Sequence, residues 1–287
     1  MHRRIVERPR RAAAAVGGVV LALALSLAAV LLPGTASAGV PAWAPAEQAT
    51  VHPGVLTTTE GAGRCTANFV FYNSTDVFIG QAAHCAGTGG PTETSGCGVA
   101  SKPLGTPVTI AGADKPGTLV YSSWITMTQR GENDPNACSF NDLALVRIDP
   151  ADVGNVNPSV PFFGGPTGIA TTPTAPGDRV LTYGNSPLRG GLTALSPKTG
   201  ISIGDKGEGW SHSCYTLSPG VPGDSGSAFL TNDGKALGVL TSLVLVPLAA
   251  SNGVGDLSRE LDYANAHGGL GAVSLALGTT PFNPLLP

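Results

Sequence analysis

Three short patterns in this chain carry side chains able to do chemistry. Gln81-Ala82-Ala83-His84-Cys85 sets an imidazole beside a cysteine at the end of an apolar run. Asn141-Asp142-Leu143-Ala144-Leu145-Val146-Arg147-Ile148 puts a carboxylate at the mouth of a strand-like segment. Pro222-Gly223-Asp224-Ser225-Gly226-Ser227-Ala228 wraps a serine in glycines just before another apolar run. A hydroxyl, an imidazole and a carboxylate are groups from which nucleophilic acyl transfer is assembled, because a serine hydroxyl attacks poorly until a base takes its proton. Singly, each pattern has a plainer reading: a histidine packed among small residues, an aspartate closing a turn, a polar hairpin loop. The chemistry requires the three to meet, so the elements that carry them decide the matter.

Those elements read as short strands. Gly 40 and Pro 24 of 287 residues, with only 12 % charged, describe a turn-rich globular chain. Aromatics supply 6 % against 42 % hydrophobic residues, so the core is built from many small side chains, a task suited to strands. Cys65–Phe71 and Asp76–Gln81 look like a hairpin, and further strand-like runs are 107–111, 118–121, 143–148, 179–183, 228–230 and 236–245. Between Asp149 and Asp178 six prolines interrupt a long Gly/Thr-rich stretch, which reads as a connection between two β units. The helix that stands out comes last, over Asp256–Ala266, capped by Asp256 and closed at His267-Gly268-Gly269.

The amino terminus reads as an export signal. Five arginines and one glutamate fill the first eleven residues, an apolar run covers Ala12–Leu32, and Pro33-Gly34 leads into Ala36-Ser37-Ala38, after which cleavage is expected. The basic residues are concentrated there, so the rest of the chain is more acidic than the total of −3 and has no footprint for nucleic acid. Five cysteines, none in a C-x-x-C pair, offer no metal-ligand spacing and in an exported chain point to disulfides. No cofactor or metal is called for.

The order A-A-H-C, then N-D-x-A-L-x-R, then G-D-S-G-S, in an exported β-rich chain, resembles the chymotrypsin-like serine proteases, especially the bacterial secreted type. The resemblance spans about Arg64–Ala266. It implies an all-β fold of two six-stranded antiparallel barrels with a C-terminal helix. The expected organisation is a signal peptide (1–38), an arm or pro-segment (39–63), a first barrel with the histidine and aspartate (64–150), a connection (151–178), a second barrel with the serine (179–255), and a helix and tail (256–287). It further implies a secreted, monomeric serine endopeptidase acting on polypeptides, without stable membrane association once the signal is removed. In it His84 is the general base, Asp142 orients it, Ser225 is the nucleophile, and the amides of Gly223 and Ser225 form the oxyanion hole.

The likeness carries finer expectations too. Asp224 resembles the family's buried aspartate that shapes the serine loop through an ion pair. The Ile-Val-Gly-Gly type start that supplies its partner in many animal members is absent, so Arg64, Arg147 and Arg179 are unranked candidates. Cys65–Cys85 matches the bridge that pins the histidine loop. Cys97–Cys138 is then expected, and Cys214 is left single. Pro219 takes the position at the floor of the specificity pocket, so a preference for Lys or Arg has no support, and Leu243 or a neighbour would narrow the pocket wall. His212 and Ser213 are placed to line a site for an acidic side chain, or to face solvent. Two other readings compete: an inert binding module on the same scaffold, and an α/β-hydrolase esterase using Ser225 with Asp256 or Asp262 and His267, although G-D-S-G-S ends in Ser where its elbow needs Gly.

Overall fold

The computed structural model describes residues 40–90, 95–244 and 251–285, with backbone alone at 243 and 244. The export signal lies outside the described residues, as does the Leu243 side chain. Among the described residues no helix is long and apolar enough to cross a membrane.

Two antiparallel sheets make up the protein. The first contains β1 (Leu56–Thr59), β2 (Arg64–Thr66), β3 (Val70–Tyr72), β4 (Val77–Ala82), β5 (Pro107–Ile110), β6 (Gly117–Ser122), β7 (Leu143–Arg147) and, from far along the chain, β14 (Ser274–Leu275). Their order across the sheet is β14-β3-β4-β7-β6-β5-β1-β2. The second is a closed barrel of six strands, β8 (Arg179–Tyr183), β9 (Pro197–Lys206), β10 (Ser211–Thr216), β11 (Ala228–Thr231), β12 (Ala236–Val244) and β13 (Ser251–Asp256). Helices α1 (Ser123–Arg130) and α2 (Pro135–Phe140) lie between β6 and β7, and α3 (Leu257–His267) follows the barrel.

The first sheet departs from the expected six strands for a physical reason. Residues 39–63, read as an arm or pro-segment, supply β1, and Val51 and Val55 are buried in the core. The tail supplies β14, whose Leu275 pairs with Phe71 on the edge of β3. The expected run 65–71 is also divided. Its first part pairs with β1 through Cys65↔Thr57 and its last part with β4 through Val70↔Ile79. At the break, Asn68 accepts from the Phe69 amide at 2.8 Å and donates its own amide to Gly80 O at 2.9 Å.

Every residue of β4 is buried, as expected for a strand between β3 and β7 with both faces covered. An apolar layer built from Phe69, Phe71, Phe78, Leu143 and Leu145 of the first half meets Leu181, Leu230 and Val239 of the barrel and Leu257 and Leu261 of α3. Full burial of each such side chain contributes about 1.5–3 kcal/mol relative to exposure. This layer seats the first sheet against the barrel.

Candidate active site

The strand register brings the histidine and the aspartate together. Ala82, the last residue of β4, pairs with Leu143, the first of β7, so the chain leaving β4 passes over the residue that precedes β7. Ala83 N donates to Asp142 O at 2.6 Å, and a single 3-10 turn over Ala83–Ala86 then presents His84. The Asp142 carboxylate is spent on that one residue: Oδ1 accepts from the His84 backbone amide at 2.8 Å and Oδ2 lies 2.7 Å from His84 Nδ1. Asp142 is buried, its side chain 7 % exposed, while that of His84 is 28 % exposed. Burial pulls the imidazole pKa down, but the charge of Asp142 and its hydrogen bond together outweigh it and hold His84 above its ordinary 6.5. His84 Nε2 has no hydrogen-bond partner among the described residues.

The serine loop comes from the barrel and docks on the same segment. Ser225 is half-buried, and its carbonyl accepts from Thr66 N at 2.8 Å. Thr66 Oγ1 donates to Gly223 O at 2.7 Å. Gly226, at φ +84°, has no room for a side chain: a Cβ would stand 2.6 Å from Thr66 O, 2.9 Å from Ala82 N and 3.0 Å from Cys65 Sγ. Cys65 is bridged to Cys85, the neighbour of His84, so the disulfide ties the histidine turn to the strand that receives the serine loop.

Val221-Pro222-Gly223-Asp224 form a type II turn, with Pro at its second position, Gly223 at φ +96° and Asp224 N donating to Val221 O at 2.8 Å. The turn fixes the peptide between Pro222 and Gly223. Its carbonyl accepts from Ser186 Oγ at 2.6 Å, which aims the Gly223 N–H the other way. Neither that amide nor the Ser225 amide has an acceptor among the described residues.

Asp224 is fully buried and holds this turn from beneath. Oδ1 accepts from Ser186 N at 3.0 Å, and Oδ2 accepts from Lys198 Nζ at 2.7 Å, from Val221 N at 3.2 Å and from Arg189. Burial pushes its pKa up, but the Lys198 charge and the bonds from Arg189 and Lys198 win, holding it below the usual carboxylate value. The cations are therefore Lys198 and Arg189, not the arginines expected. Arg64 and Arg147 face solvent, and Arg179 donates to Thr199 Oγ1 and Pro284 O. Nothing in the spacing of Asn185–Lys206 marks this pair: Lys198 comes from β9 and Arg189 from the short turn Pro187–Arg189 that follows β8.

Other expected positions separate from the site. His212 is 1 % exposed and faces neither solvent nor a cleft. Its Nδ1 lies 2.7 Å from Asp205 Oδ1 and its Nε2 3.0 Å from Asp256 Oδ2, so it ties β9 and β10 to the start of α3. Burial lowers its pKa, but the bonds to Asp256 and Asp205 and their charges raise it above 6.5 overall. A raised folded pKa stabilises below the unfolded value of about 6.5, and the stabilisation is lost as pH climbs through the folded value. The melting temperature of His212→Gln should therefore lie several degrees below wild type at pH 5–6, at about 2–4 °C per kcal/mol, with the gap closing toward pH 9. A gap constant across that range would contradict the assignment.

Cys97 is bridged to Cys138, and Cys214 is single and buried in the barrel core, where burial pushes its thiol up to about 12. Ligand atoms of Cys65, His84 and Cys85 lie within 4.8 Å of one another, but both sulfurs are consumed by the disulfide, leaving no thiolate for a metal. At the expected pocket floor, Gly220 beside Pro219 donates to Asn252 Oδ1 at 2.8 Å, and the Asn252 amide is spent on Cys214 O and Thr216 Oγ1. The esterase alternative has no support: Asp256 caps α3 and binds His212, Asp262 is exposed, and His267 packs edge-to-face against Tyr263.

A closed six-stranded barrel, a second curled antiparallel sheet and a C-terminal helix define the chymotrypsin-like fold. The structure is similar to that of Thermobifida fusca Protease A (TM-score 0.48, 18 % identity, covering 79 % of this chain and 99 % of that one). It is also similar to a glutamic acid-specific serine protease (0.47, 16 %, 79 % and 100 %) and to Cellulomonas bogoriensis chymotrypsin (0.46, 18 %, 75 % and 96 %). No family model matches the chain, and no curated protein sequence matches it.

Proposed function

We propose that the protein is a secreted serine endopeptidase. Ser225 Oγ attacks the scissile carbonyl while His84 Nε2 takes its proton, and the tetrahedral oxyanion is held by the Gly223 and Ser225 amides. His84 then returns the proton to the leaving amine, and water admitted to the acyl-enzyme repeats the sequence in reverse. Asp142 keeps the proton of the resting ring on Nδ1 and stabilises the imidazolium.

The observation that carries this reading is the disposition of Asp142. A buried carboxylate with both oxygens committed to His84 leaves Nε2 as the unoccupied basic nitrogen, on the segment against which the serine loop is seated. The two unspent amides of that loop supply the second requirement, donors placed before charge develops. No acidic side chain stands at 218–222, so cleavage after Lys or Arg is not expected.

A sulfonyl fluoride tests the reading. Stoichiometric modification should map to Ser225 in the wild type and vanish, together with casein hydrolysis, in Ser225→Ala. Equal labelling or equal hydrolysis in both proteins would sink the proposal. The pH profile tests the base. Because the neutral imidazole is the active form and Asp142 holds its pKa up, kcat/KM should rise with pH through a midpoint above 6.5. A flat profile from pH 5 to 9 with intact turnover would contradict it.

A further inference from the structure

We propose that Glu260 is a positioning residue for this reaction: from the C-terminal helix it holds the backbone amide of Asp142 by accepting its hydrogen bond, and so sets the carboxylate that orients His84. The inference rests on the serine-protease reading above.

Asp142 has four polar groups, and three of them face the histidine segment. Its carbonyl takes the Ala83 amide, Oδ1 the His84 amide and Oδ2 the His84 ring. The fourth, its own amide, donates to Glu260 Oε1 at 2.8 Å. Rotation of the carboxylate away from His84 is thus opposed from both sides, and the opposing anchor comes 118 residues later in the chain. Glu260 is 0 % exposed. It sits in the first turn of α3, whose start is fixed by Asp256 accepting from Arg259 N at 2.9 Å. β13 makes room for it, because a side chain on Gly255 would collide with Glu260 Oε1.

A buried carboxyl costs free energy that a purely structural contact has no need to spend. Its surroundings are unusual in the same way. Glu260 Oε2, Tyr121 Oη, Ser122 Oγ and both polar atoms of the Asn141 side chain are buried with no hydrogen-bond partner among the described residues. Unspent polar groups are rare in a packed core, and each calls for an explanation. Here they lie along Tyr121–Ser122, Asn141 and Glu260, the residues that bracket Asp142.

The groups that face Glu260 are Asp142 before β7, Asp256 at its own helix cap and Tyr121 of β6, and no cation among the described residues is paired with it. Burial above all, then the charges of Asp142 and Asp256, push its carboxyl well above the usual range, although the Asp142 amide opposes them. Burial therefore favours the uncharged acid at Glu260. It can accept from the amide without setting a second negative charge against Asp142.

Glu260→Met and Glu260→Gln separate this role from mere packing. Methionine removes the acceptor. Loosening of the carboxylate should lower kcat tenfold or more, since misplacement by about 1 Å can cost a hundredfold, with KM changed by less than about twofold. The pH midpoint should also fall toward 6.5 as the Asp142–His84 bond weakens. Glutamine keeps an uncharged acceptor and should restore both kcat and midpoint.

Wild-type values in Glu260→Met would overturn the proposal, as would a Glu260→Gln variant damaged as badly as the methionine variant. If methionine prevents folding, glutamine alone decides: an unchanged midpoint is expected, and a lowered one would mean that Glu260 acts through charge. The far-downfield proton resonance of the His84 N–H, read by NMR without turnover, gives an independent arm. It should persist in wild type and Glu260→Gln and be lost in folded Glu260→Met, whereas an identical signal in all three overturns the proposal. Absence of any hydrolysis by wild type would count against the protease reading, not against this arm.

Discussion

Asp142→Asn is expected to lower kcat about ten-thousand-fold while leaving the fold and KM close to wild type. The geometry makes this substitution unusually selective. Asparagine keeps an oxygen at the Oδ1 position, so it can still accept from the His84 backbone amide and preserve the histidine turn. At the Oδ2 position an amide NH2 replaces an acceptor 2.7 Å from Nδ1. Two donors cannot share one hydrogen bond, so Nδ1 must become the acceptor and the ring proton moves to Nε2. The ring then presents a proton to Ser225 where the reaction needs a lone pair. Kinetics on a peptide substrate, with thermal unfolding recorded alongside, checks this. A loss of less than about tenfold in a folded variant would mean that Asp142 does not select the tautomer.

A second large effect is expected at Asp224. Asp224→Asn leaves Lys198 and Arg189 facing a neutral amide, with their side chains only 5 % and 11 % exposed. Breaking one member of such a buried cluster costs about 3–5 kcal/mol because the remaining charges stay uncompensated. Activity should suffer in addition to stability. Asp224 also accepts from Val221 N, at the start of the turn that aims the Gly223 amide, and from Ser186 N, whose hydroxyl holds Pro222 O. Losing one oxyanion donor costs about 10²–10³ in kcat. Purified variant that is fully folded at the assay temperature should therefore still be slow. Wild-type kcat in such protein would show that the turn holds its shape without the ion pair.

Asp224 also sets an acid limit. Its folded pKa lies below the unfolded value near 3.8, so its contribution is present above that value and is lost as pH falls through the lower folded one.

How far the sequence reached differs from element to element. β4 and β7 were legible because apolar and β-branched residues cluster in Val77-Phe78-Ile79 and run unbroken through Leu143–Val146, and α3 because Asp256 and the closing glycines punctuate it. β9 and β13 were not, since Gly200 and Gly204 interrupt the first and Gly253 and Gly255 the second. Gly200 and Gly255 answer to close packing rather than to strand propensity, and Gly204 to a φ of +115°. A side chain at Gly200, for instance, would meet Thr216 of the neighbouring strand. α1 was hidden because Trp124, Ile125, Thr126 and Thr128 favour strands, and burial of Trp124 and Met127 outweighs that preference. At the site, the three motifs were visible as letters. Their supports, Lys198, Arg189 and Glu260, were not, because each acts across a distance in sequence that only the closed fold removes.

The return of the last segment to the first sheet governs the order of assembly. β14 covers the edge of β3, Asn283 donates to Phe163 O, and Glu260 reaches back to Asp142. A ribosome delivers residues 64–150 long before any of these partners exist, so the histidine half cannot reach its final state while synthesis continues. Removal of residues 257–285 should therefore leave the histidine half unfinished. Closure of the first sheet is thus a late event, set by topology rather than by local propensity.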